Sequence, residues 1–290
     1  MKFISIIVLL FMFTSCSKSE NIINETPQED SPPIQKKVKA NPKKGACFTT
    51  NNTTWSSRVA DLNVSWHYSW GPELQPEEPD SVQFVPMQWG KWNMDQNIEK
   101  INSMIKAGKA EYLLTFNEPD GKKQANMTVE EALAYWPKLM ALDLKLGSPA
   151  CVHADNEWMK AFMAKVEENK YRVDFVCVHW YGGANAQSLI NHLKNIHDLY
   201  QRPIWLTEFA PADWNASSPV DSKVTKAKAL EFVSQVLPML DTIPYVHRYS
   251  WFSANQQSAA LGNSALFDDS GKLTAVGAYY SNFNGELKKP

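Results

Sequence analysis

The sequence carries almost no surplus of charge of either sign: 29 Lys and Arg stand against 31 Asp and Glu in 290 residues, a formal charge of −2. Nucleic acids and anionic membrane surfaces are recognised through concentrated positive charge, so this balance argues against both as direct partners. Only four cysteines occur, none in C-x-x-C or a comparable spacing, which removes the thiolate zinc sites. The six histidines form no H-x-H and no H-E-x-x-H, so no local spacing gathers two imidazoles on one metal. There is no G-x-S-x-G nucleophile elbow and no Gly-rich nucleotide loop. No apolar run reaches the about 20 residues that a membrane-spanning helix needs. What is plentiful is aromatic: 11 Trp, 10 Tyr and 13 Phe, within a chain that is 44% hydrophobic and thus able to bury a large core. Indole is bulky and carries an N–H that must be satisfied when buried, so the positions of these tryptophans are informative.

The chain begins with Lys2, an apolar stretch from Phe3 to Phe13, and Thr14-Ser15-Cys16. This is the anatomy of a secretion signal over residues 1–15, and its ending resembles a bacterial lipobox, in which cleavage leaves Cys16 as a lipidated N-terminus. An ordinary signal peptide with a chance cysteine is the simpler alternative. Residues 17–42 contain four prolines, eight charges and no aromatic, so 16–42 reads as a flexible linker. The expectation is an exported protein held on a bacterial membrane, the outer one, by its lipid alone, facing the periplasm or the cell surface. Residues 43–290 remain, about 250 residues, the usual size of one (β/α)₈ barrel. Cys47, Cys151 and Cys177 read as buried apolar residues, with a single disulfide among them still open.

Eight short apolar segments rich in β-branched and aromatic residues recur, at 45–49, 63–68, 82–89, 112–117, 145–148, 175–181, 204–209 and 247–252. Helical patterns lie between them: Leu189, Leu193, Ile196 and Tyr200 make one stripe, and Thr128 to Glu131 has the form of a capping box opening a helix that contains Pro137. Asp155 and Asp221 or Ser222 read as further N-caps. Strands alternating with helices predict a parallel sheet covered on both faces, and eight of them predict an α/β fold of the TIM-barrel kind in a single domain.

In such barrels chemistry gathers at the C-terminal ends of the strands. Glu118 follows the fourth apolar segment and Glu208 lies in the seventh, while Trp66, Trp70, Trp89, Trp92, Trp180, Trp214 and Trp251 lie at or just beyond strand ends. Pro119 biases Glu118 toward extended backbone. An acid directly after a buried strand costs desolvation unless it serves a purpose. Two carboxyls flanking a glycosidic bond can divide its cleavage, one protonating the leaving oxygen and one attacking the anomeric carbon. Aromatic planes suit the apolar face of a pyranose.

In order, the sequence reads Lys44-Gly45, W-x-Y-x-W at 66–70, FVPM-x-WG at 84–90, L-L-x-FNEPD at 113–120, KLGSPA at 145–150, DFV-x-x-HWY at 174–181, PIWLTEF at 203–209 and RY-x-WF at 248–252. This run of motifs resembles glycoside hydrolase family 128, the β-1,3-glucanases of clan A. The resemblance implies a (β/α)₈ barrel, a retaining mechanism with Glu118 as acid/base and Glu208 as nucleophile, and no metal or other cofactor. It implies laminarin-type or curdlan-type β-1,3-glucan as the partner. Internal cleavage and a monomeric enzyme are expected alongside, although residue order does not itself distinguish internal from chain-end action. Asn117 is expected to bond the sugar 2-hydroxyl, and Trp66, Tyr68, Trp70, Trp89, Trp180, Tyr181 and Trp251 to line the subsites. The sequence departs from the family pattern at His67 and Ser69.

His179 is placed on the substrate side, where it would position Glu208; a core histidine bonded to a carbonyl is the alternative. Trp136, Trp158 and Trp205 read as packing residues, and Trp92 and Trp214 as outer subsites or loop anchors. The expected carboxyl separation is about 5 to 5.5 Å, the retaining range. A surface glycan-binding lipoprotein would use the same aromatics but has no need of a carboxylate pair. Another clan A linkage specificity would keep the pair but not the eight ordered motifs.

Overall fold

The computed structural model describes residues 40–285. The signal segment, Cys16 and nearly all of the expected linker lie outside them. In chain order the elements are β1 (Lys44–Cys47), α1 (Trp55–Asp61), β2 (Trp66–Tyr68), β3 (Gln83–Phe84), α2 (Met94–Lys106), β4 (Tyr112–Leu113), α3 (Val129–Met140), β5 (Lys145–Leu146), α4 (Glu157–Glu168), β6 (Val176–Trp180), α5 (Ala186–Tyr200), β7 (Ile204–Phe209), α6 (Lys226–Thr242), β8 (Val246–Phe252), a 3₁₀ turn (Gly262–Ser264) and α7 (Ala275–Asn282). All eight expected strands are present. The alternation lapses once, since β2 passes to β3 with no helix between them.

Six strands form one parallel sheet in the order β3-β2-β1-β8-β7-β6, and β4 pairs with β5. Isolated parallel bridges, Met87 to Leu114 and Gly147 to Phe175, join the two sheets at both edges and complete the ring. Most strands are shorter than the apolar runs that announced them.

Two cores result. Inside the ring lie Trp66, Tyr68, Met87, Leu114, Phe175, Cys177 and Trp205; the larger cluster fills the space between strands and helices. Gly45 is required by the inner core: a Cβ there would sit 2.2 Å from the Trp66 ring. Arg248 lies over the rings of Trp205 and Tyr112, at 4.3 and 4.6 Å, so its charge is held against aromatic faces inside the ring. Burial lowers its pKa to about 10.

The capping box of α3 forms as expected, with Thr128 and Glu131 bonding reciprocally, and Pro137 sits within the helix. The other two expected caps fall one and a few residues early. Asn156 rather than Asp155 caps α4, and Thr225 rather than Asp221 or Ser222 caps α6. The fold also starts before residue 43: Asn41 is buried and donates to Asp241 at 2.6 Å. Lys44 is wholly buried, and its ammonium donates to the carbonyls of Tyr280, Ser281 and Phe283 at 2.7, 2.9 and 2.7 Å, closing the C-terminal end of α7. Cys47, Cys151 and Cys177 are free and buried. Among the described residues no helix is long and apolar enough to cross a membrane.

Candidate active site

Strand alternation by itself would turn Glu208 away from the ring interior. Trp205 packs inside while Ile204 and Leu206 pack outside, so strict period two would send residue 208 outward. The register shifts at this point: Val178 pairs with Leu206, but His179 pairs with Glu208, leaving Thr207 as an extra residue. This bulge re-aims the carboxylate to the mouth of the ring, opposite His179.

Glu208 is 5% exposed. Its Oε1 accepts from Trp70 Nε1 at 2.8 Å and from the Tyr68 hydroxyl at 3.1 Å, and its Oε2 accepts from the Tyr181 hydroxyl. Burial, reinforced by the Glu208 charge, raises the pKa of both tyrosines well above the ordinary value, so they stay protonated and donate to the carboxylate.

Glu118 reaches the same mouth from beyond β4. Its backbone is left-handed, at φ 42°, rather than extended as Pro119 suggested. The conformation is fixed on both sides: the Glu118 N–H donates to Ala150 O at 2.6 Å, and its carbonyl accepts from Gly121 N–H at 2.8 Å. These bonds make a turn out of the strand end and override the pre-proline preference. Trp70 is left-handed as well, at φ 58°.

His179 joins the two acids. Its Nδ1 lies 3.0 Å from Glu118 Oε1, and its Nε2 lies 3.5 Å from Glu208 Oε1. Burial opposes charge on the ring, but the two carboxylates outweigh it and the pKa is raised. One donor atom from each of Glu118, His179 and Glu208 falls within 4.8 Å of the others. The two acids thus converge on one imidazole at the mouth of the ring.

The pair opens into a cleft of about 780 Å³ whose walls include Trp70, Trp89, Asn117, Trp180, Tyr181 and Trp214, within the usual size of roughly 300 to 1,000 Å³ for a ligand site. Asn117 is buried beside Glu118, and its side-chain carbonyl has no partner. Three expected subsite residues are not there. Trp66 is fully buried in the inner core, stacked beside Tyr68, with its N–H on Lys43 O at 3.0 Å. Trp251 is also fully buried, but on the outer side of β8, against Phe209 and Phe232. It lies on the outward parity of the strand, which leaves its neighbour Phe252 on the cleft wall. Tyr68, equally buried, touches Glu208 rather than the cleft. The departure from pattern at His67 lies outside the site, bonded to Glu78 at 2.9 Å.

Phe252, Gln124, Val152, His153 and His192 line the cleft and were not singled out in the sequence. Parity along β8 was the available signal for Phe252; the others lie on loops and a helix, where no strand period applies. Trp92, half exposed, packs on Trp89 with ring centroids 5.8 Å apart. Trp214, 63% exposed, donates to Tyr181 O at 3.1 Å.

A ring of eight parallel strands carrying a close carboxylate pair in an aromatic cleft at its C-terminal face defines a glycoside hydrolase. Residues 45–280 match the glycosyl hydrolase catalytic core family. A variant of a subgroup I endo-β-1,3-glucanase of family 128 from Amycolatopsis mediterranei, solved with laminarihexaose, is 32% identical over 83% of this chain and 99% of that one, with a TM-score of 0.72. A subgroup III curdlan-specific exo-β-1,3-glucanase from Blastomyces gilchristii, solved with glucose, is 29% identical over 84% of this chain and 100% of that one, with a TM-score of 0.66. Alkali-sensitive linkage protein 1 of Schizosaccharomyces pombe is 32% identical over 237 residues, 78% of this chain and 42% of its own length. The chain thus spans about two fifths of that curated relative. The chain belongs to the glycosyl hydrolase catalytic core family and, within it, to glycoside hydrolase family 128.

Proposed function

We propose that the protein is a retaining endo-β-1,3-glucanase acting on laminarin-type or curdlan-type chains. The observation that carries this reading is the contrast between the two carboxylates: Glu208 is fixed by three donors from Tyr68, Trp70 and Tyr181, whereas Glu118 bonds to His179 and faces the cleft. A carboxylate held by fixed donors is oriented for attack. In the first step a Glu208 oxygen bonds to the anomeric carbon, the bond from that carbon to the bridging oxygen breaks, and Glu118 delivers its proton to that oxygen. In the second, Glu118 removes a proton from water, the water oxygen bonds to the anomeric carbon and Glu208 is released. Asn117, whose side-chain carbonyl has no partner, bonds the 2-hydroxyl of the sugar at the nucleophile.

Support for β-1,3-glucan comes from the relatives that carry laminari-oligosaccharides and from the aromatic walls of the cleft. Product analysis on laminarin, curdlan, mixed-linkage glucan and mannan tests the reading. A ladder of β-1,3 oligosaccharides is expected. Release of glucose alone from chain ends would exclude internal cleavage, and hydrolysis of mannan in place of the glucans would exclude the linkage assignment.

The enzyme acts as a monomer tethered through a lipid on Cys16, exported and held on the outer membrane. Export and tethering rest on the first forty residues of the sequence. Membrane fractionation and palmitate labelling of the full chain against Cys16→Ala test it; equal labelling of both sinks it.

A further inference from the structure

His179 has an unusual position even for a residue between two acids. It is buried, and its Nδ1 is 3.0 Å from Glu118 Oε1, where it donates a proton to the carboxylate. Whenever the ring is neutral, the lone pair of Nε2 faces Glu208 Oε1 at 3.5 Å, and Nε2 has no hydrogen-bond partner. Acceptor facing acceptor requires a cation between them. A proton is one; a divalent metal ion is another. Two donors on a tetrahedral ion with bonds of about 2.1 Å stand about 3.4 Å apart, close to the gap observed here.

We propose that Glu118, His179 and Glu208 form an inhibitory binding site for a borderline divalent transition ion such as Zn²⁺ or Cu²⁺. His179 Nε2 and Glu208 supply the two protein ligands, and Glu118, bonded to Nδ1 on the opposite edge of the ring, orients the imidazole toward the ion. A mixed nitrogen and carboxylate set favours such ions over Ca²⁺ or Mg²⁺, which prefer oxygen alone. Both carboxylates line the cleft, so the ion enters from solvent along the path of the substrate. Once bound, it occupies the Glu208 oxygen that accepts from Tyr68 and Trp70, so binding excludes attack by that carboxylate. The ion is an inhibitor and not a cofactor.

Titration calorimetry with Zn²⁺ and electron paramagnetic resonance with Cu²⁺ on the whole protein, without substrate, test the site directly. One ion per chain is expected, with a Cu²⁺ spectrum showing coupling to imidazole nitrogen. His179→Asn should lose that coupling and bind about tenfold or more weakly. If that variant does not fold, Glu208→Gln, which preserves shape and removes a charge, should show the same loss of affinity. His153→Ala with His192→Ala, which removes the other cleft imidazoles, should retain the nitrogen signal. Unchanged binding in His179→Asn and Glu208→Gln, loss of the signal in the His153/His192 variant, or no binding by the wild type overturns the proposal. The inhibition itself rests on the hydrolase reading: Zn²⁺ should inhibit cleavage competitively and a chelator restore it. A chain that binds the ion but cleaves no glucan would defeat that reading and leave the metal site standing.

Discussion

Trp70 donates its indole N–H to Glu208 at 2.8 Å from a left-handed backbone position. A residue type that the sequence offers as a sugar platform thus holds the proposed nucleophile directly while its ring forms part of the cleft wall. Trp70→Phe keeps a ring and removes the donor. A hydrogen bond to a charged group is worth about 1.5 to 3 kcal/mol, so kcat on laminari-oligosaccharides should fall by about 10- to 100-fold. A change confined to KM would assign Trp70 to substrate stacking alone.

Replacing either acid separates the roles. Glu208→Gln should abolish hydrolysis while oligosaccharide binding, read by calorimetry, persists. Glu118→Ala should retain activity toward aryl glycosides with good leaving groups, which need no proton, and azide should rescue it with retained configuration. An active Glu208→Gln protein would remove the nucleophile assignment.

Trp214 and Trp251 make a paired test of which tryptophans bind substrate. Trp214→Ala, at an exposed position on the cleft, should raise KM for long oligosaccharides and leave the melting temperature unchanged. Trp251→Ala, fully buried against Phe209, Phe232 and Tyr280, should cost about 3 to 5 kcal/mol of stability. Chemical denaturation alongside initial rates distinguishes the two.

Stability should also carry the signature of His179. Its folded-state pKa lies above the ordinary 6.5 because Glu208 and Glu118 overcome the effect of burial. The unfolded chain therefore binds fewer protons in the interval above 6.5, and the contribution present below it is lost as pH rises through the folded value. Melting curves across that interval should decline for the wild type and flatten for His179→Asn.

Lys44→Met would leave three carbonyls at the end of α7 without their donor. Burial lowers the lysine pKa to about 7, while the three carbonyls favour its protonated form. Loss of the contacts should cost about 3 kcal/mol or more, read by denaturation, with rates per folded molecule unchanged because the residue lies away from the cleft.

Much of this was legible from residue order. All eight strands and both acids could be placed because buried parallel strands read as apolar runs with polar residues where they end. The failures have specific causes. Trp66 shares parity with Tyr68 and Trp70, yet it sits a layer deeper, under Gly45, and depth along a strand leaves no mark in a period-two pattern. Trp251 has the opposite parity to Phe252, a distinction the sequence did contain. The bulge at Thr207 was hidden because one extra residue changes no composition; it shows only in the partner strand. The backbone of Glu118 depends on Ala150 and Gly121, which no local preference of an Glu-Pro pair encodes.

Gly147 gives the join between β5 and β6 a stereochemical meaning. It faces Phe175 across that join, and a Cβ there would lie 2.7 Å from both the Phe175 ring and the Cys177 sulfur. The glycine lets the pair of strands that leads to Glu118 stand close to the sheet that carries Glu208. A Cβ at this position would therefore have to part the two strands or displace Phe175 and Cys177 from the inner core, so the closure of the ring is set by a residue with no side chain.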